Sequence, residues 1–196
     1  MDYNNLSEQE LIDLFTDNDQ TAIKTLINRH KKRIYTYILM AVKDKELAED
    51  IFQDTFIKVI KSLKKGCYME KGIFVSWAVR ISHNLIIDHF RKLRHLKVMS
   101  SNQTDGDIFN SKRFAESNVE DKIIRNRIET EVRELINMLP ADQKEVILLR
   151  HYGEMSFKEI ADQTGVSINT ALGRMRYALI NLRRLIEEKN LSLTVM

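Results

Sequence analysis

LAEDIFQDTFIKVIKSL, residues 47–63, is the stretch whose reading decides the fold. At roughly 100° per residue, Ala48, Ile51, Phe52, Thr55, Phe56, Val59, Ile60 and Leu63 fall on one side of a helix. A stripe that broad has to be buried against other helices. The opposite side carries Glu46, Asp50, Gln53 and Asp54, and the same geometry sets Ile57 among them. A lone exposed Ile is ordinary. An Ile framed by carboxylates and an amide can also be a docking surface, and this stretch alone leaves the solvated face and the docking face both open.

The rest of the chain also reads as helix. Among 196 residues there are six Gly and one Pro, too few for the many tight turns of an all-β fold. Residues 7–16 begin with Ser7 and Glu10 in capping-box spacing and carry Leu11, Leu14 and Phe15 on one face. A second helix is expected over 20–42, with Ala22, Ile23, Leu26, Ile27, Ile34, Ile38 and Leu39 at helical spacing and His30, Lys31, Lys32 and Arg33 as a basic knot. After Leu63, KKGCYMEKG is bounded by Gly66 and Gly72 and reads as a loop. Residues 73–95 then form one long expected helix, with Trp77, Ile81, Leu85, Ile86 and Phe90 inside and Arg80, Asn84, Asp88, Arg91 and Lys92 outside.

Between residues 98 and 118 the composition turns polar, SSNQTDGDIFNSKRFAES, and cannot bury a core. The expected organisation is therefore all-α: two small helical domains, 1–97 and 119–196, joined by a flexible linker at 98–118. In the second domain, Ile124, Ile128, Val132, Leu135 and Leu139 keep helical spacing up to Pro140, and Val146 to Leu149 continue it. Ser156 and Glu159 then form a second capping-box pair, Gly165 stands where a helix must stop, and Ser167 is placed to cap the next one. A short helix, a turn with Gly and a longer helix make a helix-turn-helix. Ile168, Ala171, Met175, Ala178, Leu179, Leu182 and Leu185 share the face of the second helix expected to be core. Asn169, Thr170, Gly173, Arg174, Arg176 and Tyr177 stay outside near its N-terminal end, the part that enters a major groove, where Asn pairs with adenine and Arg with guanine.

Charge supports nucleic-acid contact through its distribution, since the net value is only +3. The first residues hold Asp2, Glu8, Glu10, Asp13, Asp17 and Asp19 with no Lys or Arg before Lys24. Arg91, Lys92, Arg94 and Lys97 crowd together, as do Arg174, Arg176, Arg183 and Arg184. Two basic patches point to two contacts with a polyanion. Chemistry of other kinds finds no motif: there is no P-loop, zinc-protease helix or nucleophile elbow. The five His, at 30, 83, 89, 95 and 151, lack metal-ligand spacing, so no metal, cofactor or catalytic residue is expected. With Cys67 as its one cysteine the chain forms no internal disulfide. With no signal-like N-terminus and no apolar run near the ~20 residues of a membrane span, it is expected to be cytoplasmic.

Three segments, AEDIFQDTFIKVI, WAVRISHNLIIDHFRK and LPADQKEVILLRHYGEMSFKEIADQTGVSINT, resemble in order and spacing the bacterial sigma factors of the extracytoplasmic-function group. The resemblance implies a promoter-specificity subunit whose first domain binds the clamp helices of the RNA polymerase β′ subunit and opens the −10 element. The second domain would hold the β flap and read the −35 element. Asp50, Gln53 and Asp54, with Ile57 among them, match the polymerase-binding helix. The loop 65–72, beginning with Lys65, matches the pocket for a flipped non-template base, with Tyr68 and Phe74 the first candidates for stacking. Trp77, Arg80, Asn84, Asp88 and Arg91 match the promoter-melting helix, and Ser167, Asn169, Thr170, Gly173, Arg174, Arg176 and Tyr177 lie on or cap the −35 helix. Leu172 and Gly173 stand where the family usually has a basic residue and a Ser, and Arg176 where it has an apolar one, so the −35 preference of relatives does not transfer. Members of the group are often held by an anti-sigma protein, a further expected partner. The competing reading is a stand-alone helix-turn-helix regulator on a palindromic site.

Overall fold

The structure, a computed structural model, describes residues 2–68, 73–100, 123–189 and 191, with the side chains of 96–100 and 123–129 excepted. Among these residues every regular element is helical, and the chain divides into two compact units. The first contains a 3-10 turn (Tyr3–Asn5) and helices α1 (Glu8–Thr16), α2 (Gln20–Val42), α3 (Lys45–Lys64) and α4 (Phe74–Ser100). The second contains α5 (Ile123–Asn137), α6 (Ala141–His151), α7 (Phe157–Thr164) and α8 (Ile168–Glu188). Helix α4 runs three residues into the stretch expected to be linker, and the remainder, 101–118, lies outside the described residues.

Local chemistry sets the helix ends of the first unit. Ser7 and Glu10 close the capping box that starts α1, each satisfying the other's backbone N–H. Asp19 accepts from the Thr21 N–H to start α2, and Asp44 from the Leu47 N–H to start α3. Helix α3 stops at Gly66, whose φ of 67° is open to a residue without Cβ. There the Gly66 and Cys67 amides return to the Leu63 and Ser62 carbonyls, the pattern that satisfies the last turn of a helix.

Helix α2 is the centre of this unit and packs on α1, α3 and α4, while α3 also packs on α4. The expected stripe of α3 faces inward: Ala48, Ile51, Thr55, Phe56, Val59 and Leu63 are buried. Each fully buried Val or Leu contributes about 1.5–3 kcal/mol. Thr55 is tolerated in that core because its Oγ1 donates to the Ile51 carbonyl at 2.7 Å and lies 3.2 Å from Ser82 Oγ of α4. Tyr37 of α2 and His83 of α4 share a second buried hydrogen bond, Oη to Nδ1 at 2.8 Å.

In the second unit α8 packs on α5, α6 and α7. Ser156 and Glu159 form the capping box of α7, and Gly165 ends that helix at φ 69°. Ser167 then caps α8 through the Thr170 N–H. The apolar positions of α8 divide differently from the periodicity. Ala171 and Ala178 have no exposure, but Ile168 is 45% exposed and Leu179 44%. Both sit at the edge of the stripe that α5, α6 and α7 pack against.

Candidate nucleic-acid and protein interfaces

Three surfaces carry the expected site residues, each built on a rigid helix. The first is the outer side of α3. Asp50, Gln53 and Asp54 are exposed, and Ile57 among them is 48% exposed. Thr55, Phe56 and Val59, interleaved in sequence, point into the core. The face is therefore an acidic, hydrogen-bonding surface with one apolar knob, and the buried stripe behind it holds its orientation.

The second surface is the start of α4 with the end of α3. Tyr68 and Trp77 meet edge to face with ring centroids 4.9 Å apart, and both are half-buried. Phe74 lies beneath them, 6.5 Å from the Tyr68 ring and 6.0 Å from the Trp77 ring. Phe74 is corrected here: at 0% exposure it has no face to offer a base. The first turn of α4 turns it inward beside His30 of α2, whose ring is 5.5 Å away. Tyr68 and Trp77 present the half-buried rings of this surface, with Phe74 as their floor. Lys65 is exposed, Arg80 is half-buried, and Asn84, Asp88 and Arg91 follow on the outer face of α4. Arg91 and Asp88 pair at 3.5 Å across one turn. Residues 69–72 of the expected base pocket lie outside the described residues.

The third surface is the N-terminal half of α8. Asn169, Thr170, Leu172, Arg176 and Tyr177 are exposed, Tyr177 by 62%. Ser167 and Thr170 share a hydroxyl hydrogen bond at 2.8 Å, so both are engaged in the cap as well as exposed. Gly173 is half-buried, and a Cβ there would meet nothing within 4 Å; space does not require the glycine. Arg174 differs from Arg176. Its Nε is 3.3 Å from Asp142 Oδ2 on α6, and its side chain is 25% exposed. Burial pushes the neighbouring Glu145 carboxyl up to about 7, against the opposing pull of Arg174, and Asp142 adds to the rise.

Some functional geometry was not legible in the sequence. The link from Glu8 of α1 to the start of α4 spans 66 residues, and Glu8 stands out there only as one of several N-terminal acids. The Asp142–Arg174 pair likewise needs α6 and α8 to be packed before it exists.

Two family descriptions match the chain: Sigma-70 region 2 over residues 26–95 and Sigma-70, region 4 over residues 129–177. The sigma factor CarQ of Myxococcus xanthus is 28% identical over 177 residues, covering 90% of this chain and 96% of that protein. SigV of Bacillus subtilis is 28% identical over 173 residues, covering 88% and 96%. Among solved structures, the fold is similar to CnrH in complex with the cytosolic domain of CnrY, at TM-score 0.58 and 21% identity, covering 92% of this chain and 97% of that one. It is also similar to the sigma factor RpoE of Bartonella quintana in complex with the anti-sigma factor NepR, at TM-score 0.59 and 20% identity, covering 84% and 96%.

Proposed function

We propose, for a chain that belongs to the sigma-70 family of RNA polymerase sigma factors and carries both its region 2 and its region 4, a division of labour among the three surfaces. The chain acts in transcription initiation. The single observation that carries this function is the presence of the two regions in order on one chain. Relatives such as CarQ and SigV match over nearly their whole lengths. A stand-alone helix-turn-helix regulator would need only the second region.

In this reading domain 1–97 contacts the polymerase clamp through Asp50, Gln53, Asp54 and Ile57. The acidic frame steers the encounter with a basic surface, and Ile57 supplies the desolvated anchor. Tyr68 and Trp77 receive an unpaired base of the −10 element. Stacking offsets the few kcal/mol of unpairing, while Lys65, Arg80 and Arg91 hold the strand's phosphates and Asn84 and Asp88 present polar groups to it. Domain 119–196, beyond the linker at 98–118, contacts the flap and reads the −35 element with Asn169, Thr170, Arg176 and Tyr177. Ser167 and Arg174 orient the reading helix, and Gly173 leaves room for the backbone of the duplex. The chain itself works by binding, without a catalytic step or a cofactor, in the cytoplasm where the polymerase is. One structural neighbour was solved in complex with the cytosolic domain of CnrY and another with the anti-sigma factor NepR, and an anti-sigma protein is proposed as a partner here too.

The test is reconstitution: the purified chain is mixed with core polymerase and the complex footprinted on promoter DNA. Polymerase-dependent protection at −10 and −35 with thymine reactivity at −10 is the expected result. A symmetric footprint formed without polymerase would support the regulator reading instead.

A further inference from the structure

Glu8 joins three helices through one carboxylate. It is the first residue of α1, and its Oε2 accepts a hydrogen bond from the backbone N–H of Phe74, the first residue of α4, at 3.0 Å. Its Oε1 lies 2.8 Å from Nε2 of His30 on α2. The first amides of a helix have no partner inside it, and a carboxylate there gains from both the hydrogen bond and the helix dipole. The His30 imidazole beside it, helped by the Phe74 amide, holds the Glu8 carboxyl below the usual range although burial opposes it. Its own helix is anchored: Leu11, Ile12 and Phe15 are buried, and Arg29 of α2 donates to the carbonyls of Tyr3, Asn4 and Leu6.

What Glu8 fixes is the floor of the aromatic pair. Phe74 carries the amide that Glu8 holds, its ring packs on His30, and Tyr68 and Trp77 rest on that ring. Glu8 lies outside the part of the chain that matches region 2. We propose that Glu8 is a positioning residue for −10 recognition, fixing the first turn of α4 and the His30 ring so that Tyr68 and Trp77 stand ready for an unpaired base. This rests on the assignment of α4 as the promoter-melting helix. A preformed stacking site avoids ordering its rings at the moment of binding, which is where the gain arises.

The docking face of α3 is built from other side chains, so a positioning role predicts a defect confined to opening. The experiment uses the full chain bound to core polymerase on a promoter that the wild-type holoenzyme protects in a footprint, with permanganate reactivity of the −10 thymines as readout. Core affinity is measured in parallel. Glu8→Ala should lower the open fraction about tenfold, the scale of one charge-assisted hydrogen bond, with core affinity within about twofold. Glu8→Gln keeps an oxygen that can accept from the Phe74 N–H and should recover most of the opening. Wild-type opening in Glu8→Ala, loss of core affinity in parallel with opening, or a Glu8→Gln defect as deep as that of alanine would overturn the proposal. Absence of melting by the wild-type holoenzyme would instead count against the assignment of α4.

Discussion

Arg174 of α8 is held by Asp142 of α6, Nε to Oδ2 at 3.3 Å, and two turns further along Asn181 Nδ2 donates to Gln143 Oε1 at 2.8 Å. The two contacts fix α8 on α6 in rotation and along its axis. They also separate two arginines that look equivalent in sequence: among the described residues Arg176 has no such hold, and it lies on the exposed side.

Asp142→Asn should therefore release the Arg174 cation toward DNA. The Asp142 side chain is 46% exposed, so the cost to stability should stay below about 1 kcal/mol. Binding to −35 duplexes should become stronger and less selective, with the salt dependence steeper by up to about one unit. Equal slopes for the two proteins in a salt titration would show that Asp142 does not restrain Arg174.

Leu172 is 43% exposed on the N-terminal half of α8. Leu172→Arg should add one phosphate contact and steepen the plot of log affinity against log salt by about one unit. Arg176→Ala should cost about 1–3 kcal/mol on the preferred −35 sequence and relax preference at one base pair. Affinity measured on the preferred and on single-substituted duplexes separates the two outcomes, since a uniform loss across sequences would make Arg176 a phosphate contact.

On α3, Ile57→Glu or the pair Asp50→Lys and Asp54→Lys should weaken core polymerase binding by at least about tenfold. Helicity should be unchanged, because all three positions are exposed. Circular dichroism beside the binding titration checks this, and a loss of helix content would mean that the face has a structural role.

His83 is 3% exposed, and burial pushes its pKa down to about 4. The folded state thus keeps it neutral while the unfolded chain takes up a proton as pH falls through about 6.5. Stability is complete above that pH, declines between about 6.5 and 4, and the loss from this one group levels off near 3 kcal/mol, at about 1.4 kcal/mol per pKa unit. Trp77 is the one tryptophan, so its fluorescence in urea reports the first unit. The decline should be markedly shallower in His83→Gln, and identical slopes would exclude His83 as its cause.

Helix existence, the capped helix ends and the exposed acidic face of α3 were legible in the sequence, because they depend on spacing within one segment. The 3.6-residue repeat sets which side of residues 47–63 is buried, the Ser7–Glu10 and Ser156–Glu159 pairs close their own capping boxes, and Gly165 turns the chain locally. The resemblance of the three segments then carried the function. Tertiary packing decided the rest, since it chooses between neighbours that periodicity treats alike. It turned Phe74 into a floor beneath Tyr68 and Trp77, left Ile168 and Leu179 half in solvent, and divided Arg174 from Arg176. It also brought Glu8 to the Phe74 amide. A hydrogen bond between residues 66 positions apart has no local signature; it depends on α1 and α4 both packing on α2.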